Sequence, residues 1–211
     1  MTTSGHLAGG PREVTASPPA GPARPRRHDP HRRDRIVDAC LDVVAEHGVA
    51  GTSHRRVAAA ADVPLGSMTY HFAGMDELLR AAFSRFAEQQ AAAFERRLGQ
   101  ATDVEQAADA VVALITTDVF ATQRDLVLSH ELYTLAARDP AFRTLTNAWM
   151  SRSRAALARH FDPLTCRLLD AFVEGVTIHR ALDTERPDDA VVRSGVARIL
   201  APVTSTKDPA P

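Results

Sequence analysis

The sequence predicts an all-α fold, an N-terminal three-helix unit followed by a six-helix domain. Three observations carry this prediction. Apolar residues recur at three- and four-residue steps along most of the chain. No segment alternates apolar and polar residues with the period of two that a strand needs. Asp139-Pro140, Asp162-Pro163 and Arg186-Pro187 each put a proline at or near the point where a helical pattern begins.

The elements follow in order. Residues 1–30 are rich in Pro, Gly, Ala and Ser without apolar periodicity and are expected to form a disordered tail. Its end is basic, with Arg24, Arg26, Arg27, Arg32 and Arg33 close together. That run is either a solvated charge cluster or an arm that follows a nucleic-acid backbone. From 34 to 47, Ile36, Val37, Cys40, Leu41, Val43 and Val44 line one side of a predicted helix, and Asp34, Asp38, Asp42 and Glu46 form an acidic stripe on the other. Gly48 is its stop signal.

Thr52-Ser53 caps a short helix reaching Ala61, Asp62-Val63 makes a tight turn, and Pro64 opens another short helix to His71. A long helix over 75–98 carries Leu78, Leu79, Ala82, Phe83, Phe86 and Phe94. Turn signals then divide the chain into helices near 103–119, 122–138, 140–160, 163–184 and 187–201, with a frayed tail from 203. The expected organisation is a helix-turn-helix unit over 31–74 and a helical domain over 75–202.

Composition limits function. The formal net charge is -1, so nucleic-acid affinity would have to come from local placement of charge. No apolar run is long enough to cross a bilayer, and no apolar leader opens the chain, so a cytoplasmic location without membrane partners is expected. Cys40 and Cys166 sit in apolar helical contexts and read as buried reduced thiols, with a redox switch or a linking disulfide as the other reading. No Gly-rich phosphate loop, nucleophile elbow or metal-ligand spacing is present, so neither catalysis, a metal nor a cofactor is expected.

The chemistry lies in 53–72, SHRRVAAAADVPLGSMTYHF. Val57, Ala61, Met68 and Phe72 face inward and hold two short helices together, as in any tri-helical unit. Leu65, Ser67, Thr69, Tyr70 and His71 point the other way, giving the short donors, acceptors and apolar surface that suit a major groove. Arg55 and Arg56 stand in the first turn of the bracing helix, within reach of a guanine edge or a phosphate.

From Ile36 to Leu79 the spacing of His47-Gly48, Thr52-Ser53, Val63-Pro64-Leu65-Gly66-Ser67, Tyr70-His71-Phe72 and Asp76-Glu77-Leu78-Leu79 resembles the DNA-binding domain of the TetR/AcrR family of repressors. The resemblance implies base contacts from Arg55, Ser67 and Tyr70, and phosphate contacts from Ser53, His54, Thr69 and His71. Leu65 falls at a position of variable specificity. Thr69 and Met75 depart from the family, which usually has tyrosine and often lysine there. Between 34 and 80, moreover, acids outnumber Arg35, Arg55, Arg56 and Arg80.

The resemblance further implies a homodimer on a pseudo-palindromic operator in double-stranded DNA, released by a small-molecule effector. The expected interface is Phe172, Val173, Gly175, Val176, Leu182, Val192, Gly195, Val196 and Ile199, residues that would equally complete a protomer core. A largely apolar effector would lie among Phe86, Phe94, Phe120, His130, Tyr133, Trp149, Phe172, Glu174 and His179, each of which could also be ordinary packing. The competing reading is a helical small-molecule-binding protein whose helix-turn-helix does not bind DNA.

Overall fold

The computed structural model describes residues 29–185 and 188–201. Residues 1–28 of the tail expected over 1–30, Pro187 as a helix start and the tail from 203 lie outside these residues. Among the described residues there are helices and turns and no strand. Nine α-helices follow one another: α1 Arg32–Gly51, α2 His54–Ala60, α3 Gly66–His71, α4 Met75–Gly99, α5 Val104–Ala113, α6 Gln123–Arg138, α7 Pro140–Leu157, α8 Pro163–Leu182 and α9 Asp189–Leu200.

Local chemistry sets most helix starts. Ser53, Asp103, Thr122, Asp139, Asp162 and Asp188 each accept a hydrogen bond from a backbone N–H in the first turn of the helix that follows. Pro140 and Pro163 occupy first-turn positions, where a missing N–H costs nothing. α3 departs from expectation: it begins at Gly66 and not at Pro64, with Leu65 as its cap. Gly48 breaks α1 with φ 67°, and the chain turns once more before Thr52. A side chain there would also strike Glu131 of α6, since a Cβ would lie 2.7 Å from its Oε1.

The single helix expected over 103–119 is two pieces. α5 stops at Ala113, and a π-helical turn, Leu114–Asp118, widens the chain before Phe120. Arg97 of α4 holds this turn through Asp118, with Nε to Oδ2 at 2.6 Å and Nη2 to Oδ1 at 2.7 Å. Phe120 itself has φ 53°, an uncommon conformation for a bulky side chain.

Two apolar clusters fill the interior. One joins α1, α2 and α3 to the first half of α4 and to α6 and α7, through Ile36, Val57, Met68, Phe72, Phe83, Phe86, Leu128, Leu132 and Phe142. The other gathers Phe94 and Leu98 with α5, the π turn, the end of α7, α8 and α9. α4 therefore belongs to both.

Cys40 and Cys166 are free and buried, in agreement with the reading as reduced thiols. Burial pushes the Cys40 thiol from 9.0 up to about 12. A folded pKa above the unfolded value means that the thiol contributes its full stability below pH ~8.5 and loses it as pH rises toward 12. Native protein should therefore react slowly with an aromatic disulfide at pH 8 and rapidly after denaturation. Fast labelling of a native thiol would contradict the packing described here.

Candidate functional site

The helix-turn-helix is built from α2, the turn and α3. Ser53 Oγ accepts from Arg56 N at 3.3 Å and starts α2. Asp62 takes φ 51° in the turn, a conformation that Asp tolerates better than most residues. Val57, Ala61, Met68 and Phe72 are buried, so the inward face is as expected. Glu77 accepts from Ala73 N at 2.7 Å and secures the exit into α4.

The outward face differs in part from expectation. Tyr70 is 84% exposed and Leu65 52%, which leaves an aromatic and an aliphatic side chain on the outer side of the motif. Arg55 and Thr69 are exposed, and His71 is half-buried with its ring 4.9 Å from that of Tyr70. Ser67 is only 8% exposed, next to Met68 on the buried side of α3 and not on its outer face. Arg56 turns back to donate to the Gly51 carbonyl, and His54 is half-buried. Arg33, in the first turn of α1, lies 5.0 Å over the Phe72 ring and places an exposed cation at the end of α3. Its only sequence signal was the basic run.

The acidic stripe of α1 has partners beyond residue 80. Arg85 of α4 bridges Asp34 and Asp38, the latter at 2.8 Å, and Arg124 of α6 reaches Asp42 at 2.8 Å. Both arginines gain charge-assisted bonds, and the Asp38 bond is the largest cause holding the Arg85 guanidinium above its ordinary pKa. The stripe ties α1 to α4 and α6.

A second constellation lies in the helical part. Trp149 of α7 stacks on Tyr133 of α6 with centroids 6.2 Å apart and meets the edge of Phe86 of α4 at 6.0 Å. Burial pushes the Tyr133 phenol pKa up, and the charge and hydrogen bond of Glu174 on α8 add to it. His130 donates from Nδ1 to the Leu126 carbonyl at 2.8 Å, and Phe120 stands 6.0 Å from its ring. Phe94 belongs to the second apolar cluster, against which Phe172 packs, and His179 is exposed. The expected lining therefore divides, and His179 in particular lies on the outer side of α8 and not inside it.

The expected interface divides as well. Val173, Val192 and Val196 are buried in the second core, with Phe172, Val176 and Ile199 packed on it. Gly195 admits the Phe172 ring of the same protomer. These residues close the protomer, whereas Gly175 and Leu182 remain exposed. What α8 leaves outside is Leu164, Leu168, Ala171, Gly175, Ile178 and Leu182, alternating four- and three-residue steps. Leu164 is 64% exposed, Leu168 47% and Leu182 62%. That 3.5-residue repeat was present in the sequence but hidden among equally regular core positions.

Comparison with known proteins places this geometry. The profile of bacterial regulatory proteins of the tetR family matches residues 36–82, and the tetracyclin repressor-like C-terminal domain matches 102–202. The transcriptional regulator SCO7518 of Streptomyces coelicolor A3(2) is 54% identical, over 81% of this chain and 98% of its own, with TM-score 0.76.

The chain belongs to the TetR family of transcriptional regulators.

Among other TetR-family relatives, the multidrug binding protein EbrR, solved with ethidium, is 36% identical over 81% of this chain and 99% of its own, TM-score 0.68. The nicotine-responsive transcriptional repressor HdnoR of Paenarthrobacter nicotinovorans is 27% identical over 109 residues, 52% of this chain. That match spans 56% of the length of HdnoR. Among the described residues of this TetR-family chain, no helix is long and apolar enough to cross a membrane, and no group of three His, Cys, Asp or Glu is arranged for a metal.

Proposed function

We propose that this chain is a ligand-responsive repressor that binds a pseudo-palindromic operator as a homodimer and leaves it when a small-molecule effector binds. The observation that carries the reading is Tyr70. It is 84% exposed on α3, while the opposite face of that short helix is locked into the core by Met68 and Phe72. Leu65, Thr69 and His71 stand near it in sequence, Arg33 lies over the Phe72 ring at the end of α3, and Arg55 is an exposed cation on α2. The outer stripe of α8 offers a second copy a seam, and a two-fold pair is what half-sites one DNA turn apart require. The named ligands of EbrR and HdnoR favour small-molecule control.

The test is a mobility shift on the DNA upstream of the chain's own gene. Wild type should give a discrete, salt-sensitive complex, and Tyr70→Ala should weaken it about tenfold or more. Arg55→Ala should reduce the salt slope by about 1 if it meets a phosphate.

A second reading, a ligand-binding protein with an inactive helix-turn-helix, draws on Thr69, whose hydroxyl donates to the Gly66 carbonyl at 3.2 Å, and on half-buried Met75. Absence of any shift at low salt from a confirmed dimer would favour that reading and sink the repressor.

A further inference from the structure

Several donors of the helix-turn-helix are committed within the protein. The Thr69 hydroxyl donates to the Gly66 carbonyl at 3.2 Å, and Arg56 donates to the Gly51 carbonyl. Nε2 of His54 is buried, without a hydrogen-bond partner among the described residues. Met75 is half-buried and carries no charge. A duplex, in contrast, presents one negative charge per ~1.7 Å of its axis. A head built this way needs a cation from outside the two short helices.

Arg33, in the first turn of α1, stands where that cation is needed. Its guanidinium carbon lies 5.0 Å over the Phe72 ring; the ring is 2% exposed, whereas Arg33 is exposed. From Phe72 a row of rings continues along α3, 6.4 Å to His71 and a further 4.9 Å to Tyr70. Three short steps thus join the cation to the most exposed side chain of the motif, a reach comparable with a major groove about 12 Å wide. With Tyr70 in such a groove, a cation at the far end of the row meets the groove's wall, where the phosphates run.

The stacking suits this task. A ring face attracts a guanidinium and holds its stem, while the N–H groups at its edge stay available for two parallel bonds to phosphate oxygens. The acids that follow it on α1 are drawn the other way, since Arg85 of α4 binds both Asp34 and Asp38. Because Phe72 caps α3, a group resting on it moves with the recognition helix.

We propose that Arg33 grips a backbone phosphate beside the groove that receives α3, with Phe72 as the platform that fixes its guanidinium. This rests on the repressor reading and adds to it a contact from α1, outside the helix-turn-helix. A phosphate is the same at every base pair, so the contact strengthens binding to every duplex and selects no sequence.

The experiment uses the full-length protein and two labelled duplexes of equal length, the DNA upstream of its own gene and a random sequence. Affinity is measured by fluorescence anisotropy from about 50 to 200 mM salt. Arg33→Gln should weaken both duplexes by a similar factor, about 10- to 100-fold near 0.1 M salt, and should lower the salt slope by about 1 per protomer. Arg33→Lys, which keeps the charge, should retain most of the slope. Thermal unfolding of both variants should stay close to that of wild type.

An unchanged slope in Arg33→Gln would overturn the inference, all the more if its Tm fell, because Arg33 would then serve packing alone. A loss confined to the upstream DNA would overturn it too, by making Arg33 a reader of bases. A slope lost as fully in Arg33→Lys would remove the role of charge. Wild type that bound neither duplex at low salt would defeat the repressor reading and this inference with it, whereas wild-type binding with an unaltered Arg33→Gln slope defeats the inference alone.

Discussion

Replacing Leu168 with glutamate is expected to leave the protomer folded and to abolish its dimer. Leu168 lies 47% exposed in the outer stripe of α8, one helical turn from Leu164, and touches neither apolar cluster. A polar change at such a position costs a folded protomer within about 0.5 kcal/mol. In a self-paired interface the same change acts twice, since each copy presents the stripe to the other, and it buries two carboxylates without partners.

A monomer keeps one recognition helix and half the phosphate contacts. Operator affinity should then fall toward that of nonspecific binding, on the order of 10³-fold or more. Sedimentation should report a monomer with an unchanged helical spectrum, and the operator titration should show the loss. A Leu168→Glu protein that still sediments as a dimer would move the interface off this stripe.

The second large effect is expected at Gly195. A Cβ there would lie 2.8 Å from Cε2 of Phe172, and closer still to Cζ. Valine and glycine differ little in helix propensity, so the steric term decides the sign. To make room the Phe172 ring must leave the second core, against which it packs. Overpacking of this kind costs about 1–3 kcal/mol, which for a chain of this size lowers Tm by roughly 2–12 °C.

The control is Phe172→Ala in the same background. It should recover part of the loss, giving a double-mutant coupling of 0.5 kcal/mol or more by the usual range for touching residues. An unchanged Tm in Gly195→Val would mean that α8 and α9 do not approach as described.

Both predictions turn on a distinction that the sequence leaves open. α8 carries two apolar stripes of comparable regularity, Cys166, Leu169, Val173 and Thr177 on one side and Leu164, Leu168, Ala171, Gly175, Ile178 and Leu182 on the other. Periodicity says that each stripe is continuous and not which one the protomer claims. Val173, Val192 and Val196 were therefore plausible interface residues until the packing put them inside. Gly195 raised the same ambiguity, since a glycine that permits close approach does not say whose side chain approaches.

The helix-turn-helix was more legible because its signals are local. Ser53 caps α2 through an atom three residues away, and Met68 and Phe72 lie one turn apart on a short helix. Ser67 was expected on the outer face, but it directly precedes Met68, about 100° away around the helix at 3.6 residues per turn, and its small side chain is buried there. Tyr70 escaped the error because it follows Met68 by two residues and must lie opposite it whatever the start.

By itself the sequence determined the helical class, the bounds of most helices and the recognition motif. These depend on capping atoms, prolines and apolar spacing within a turn or two, where backbone geometry leaves little choice. Tertiary structure alone decided that Asp34, Asp38 and Asp42 meet Arg85 and Arg124, that α4 serves two cores, and that Tyr133, Trp149, Phe86 and Glu174 converge. Each of those contacts joins residues separated by many turns of chain, and a charge or a ring has no preferred partner until the packed helices bring one within reach.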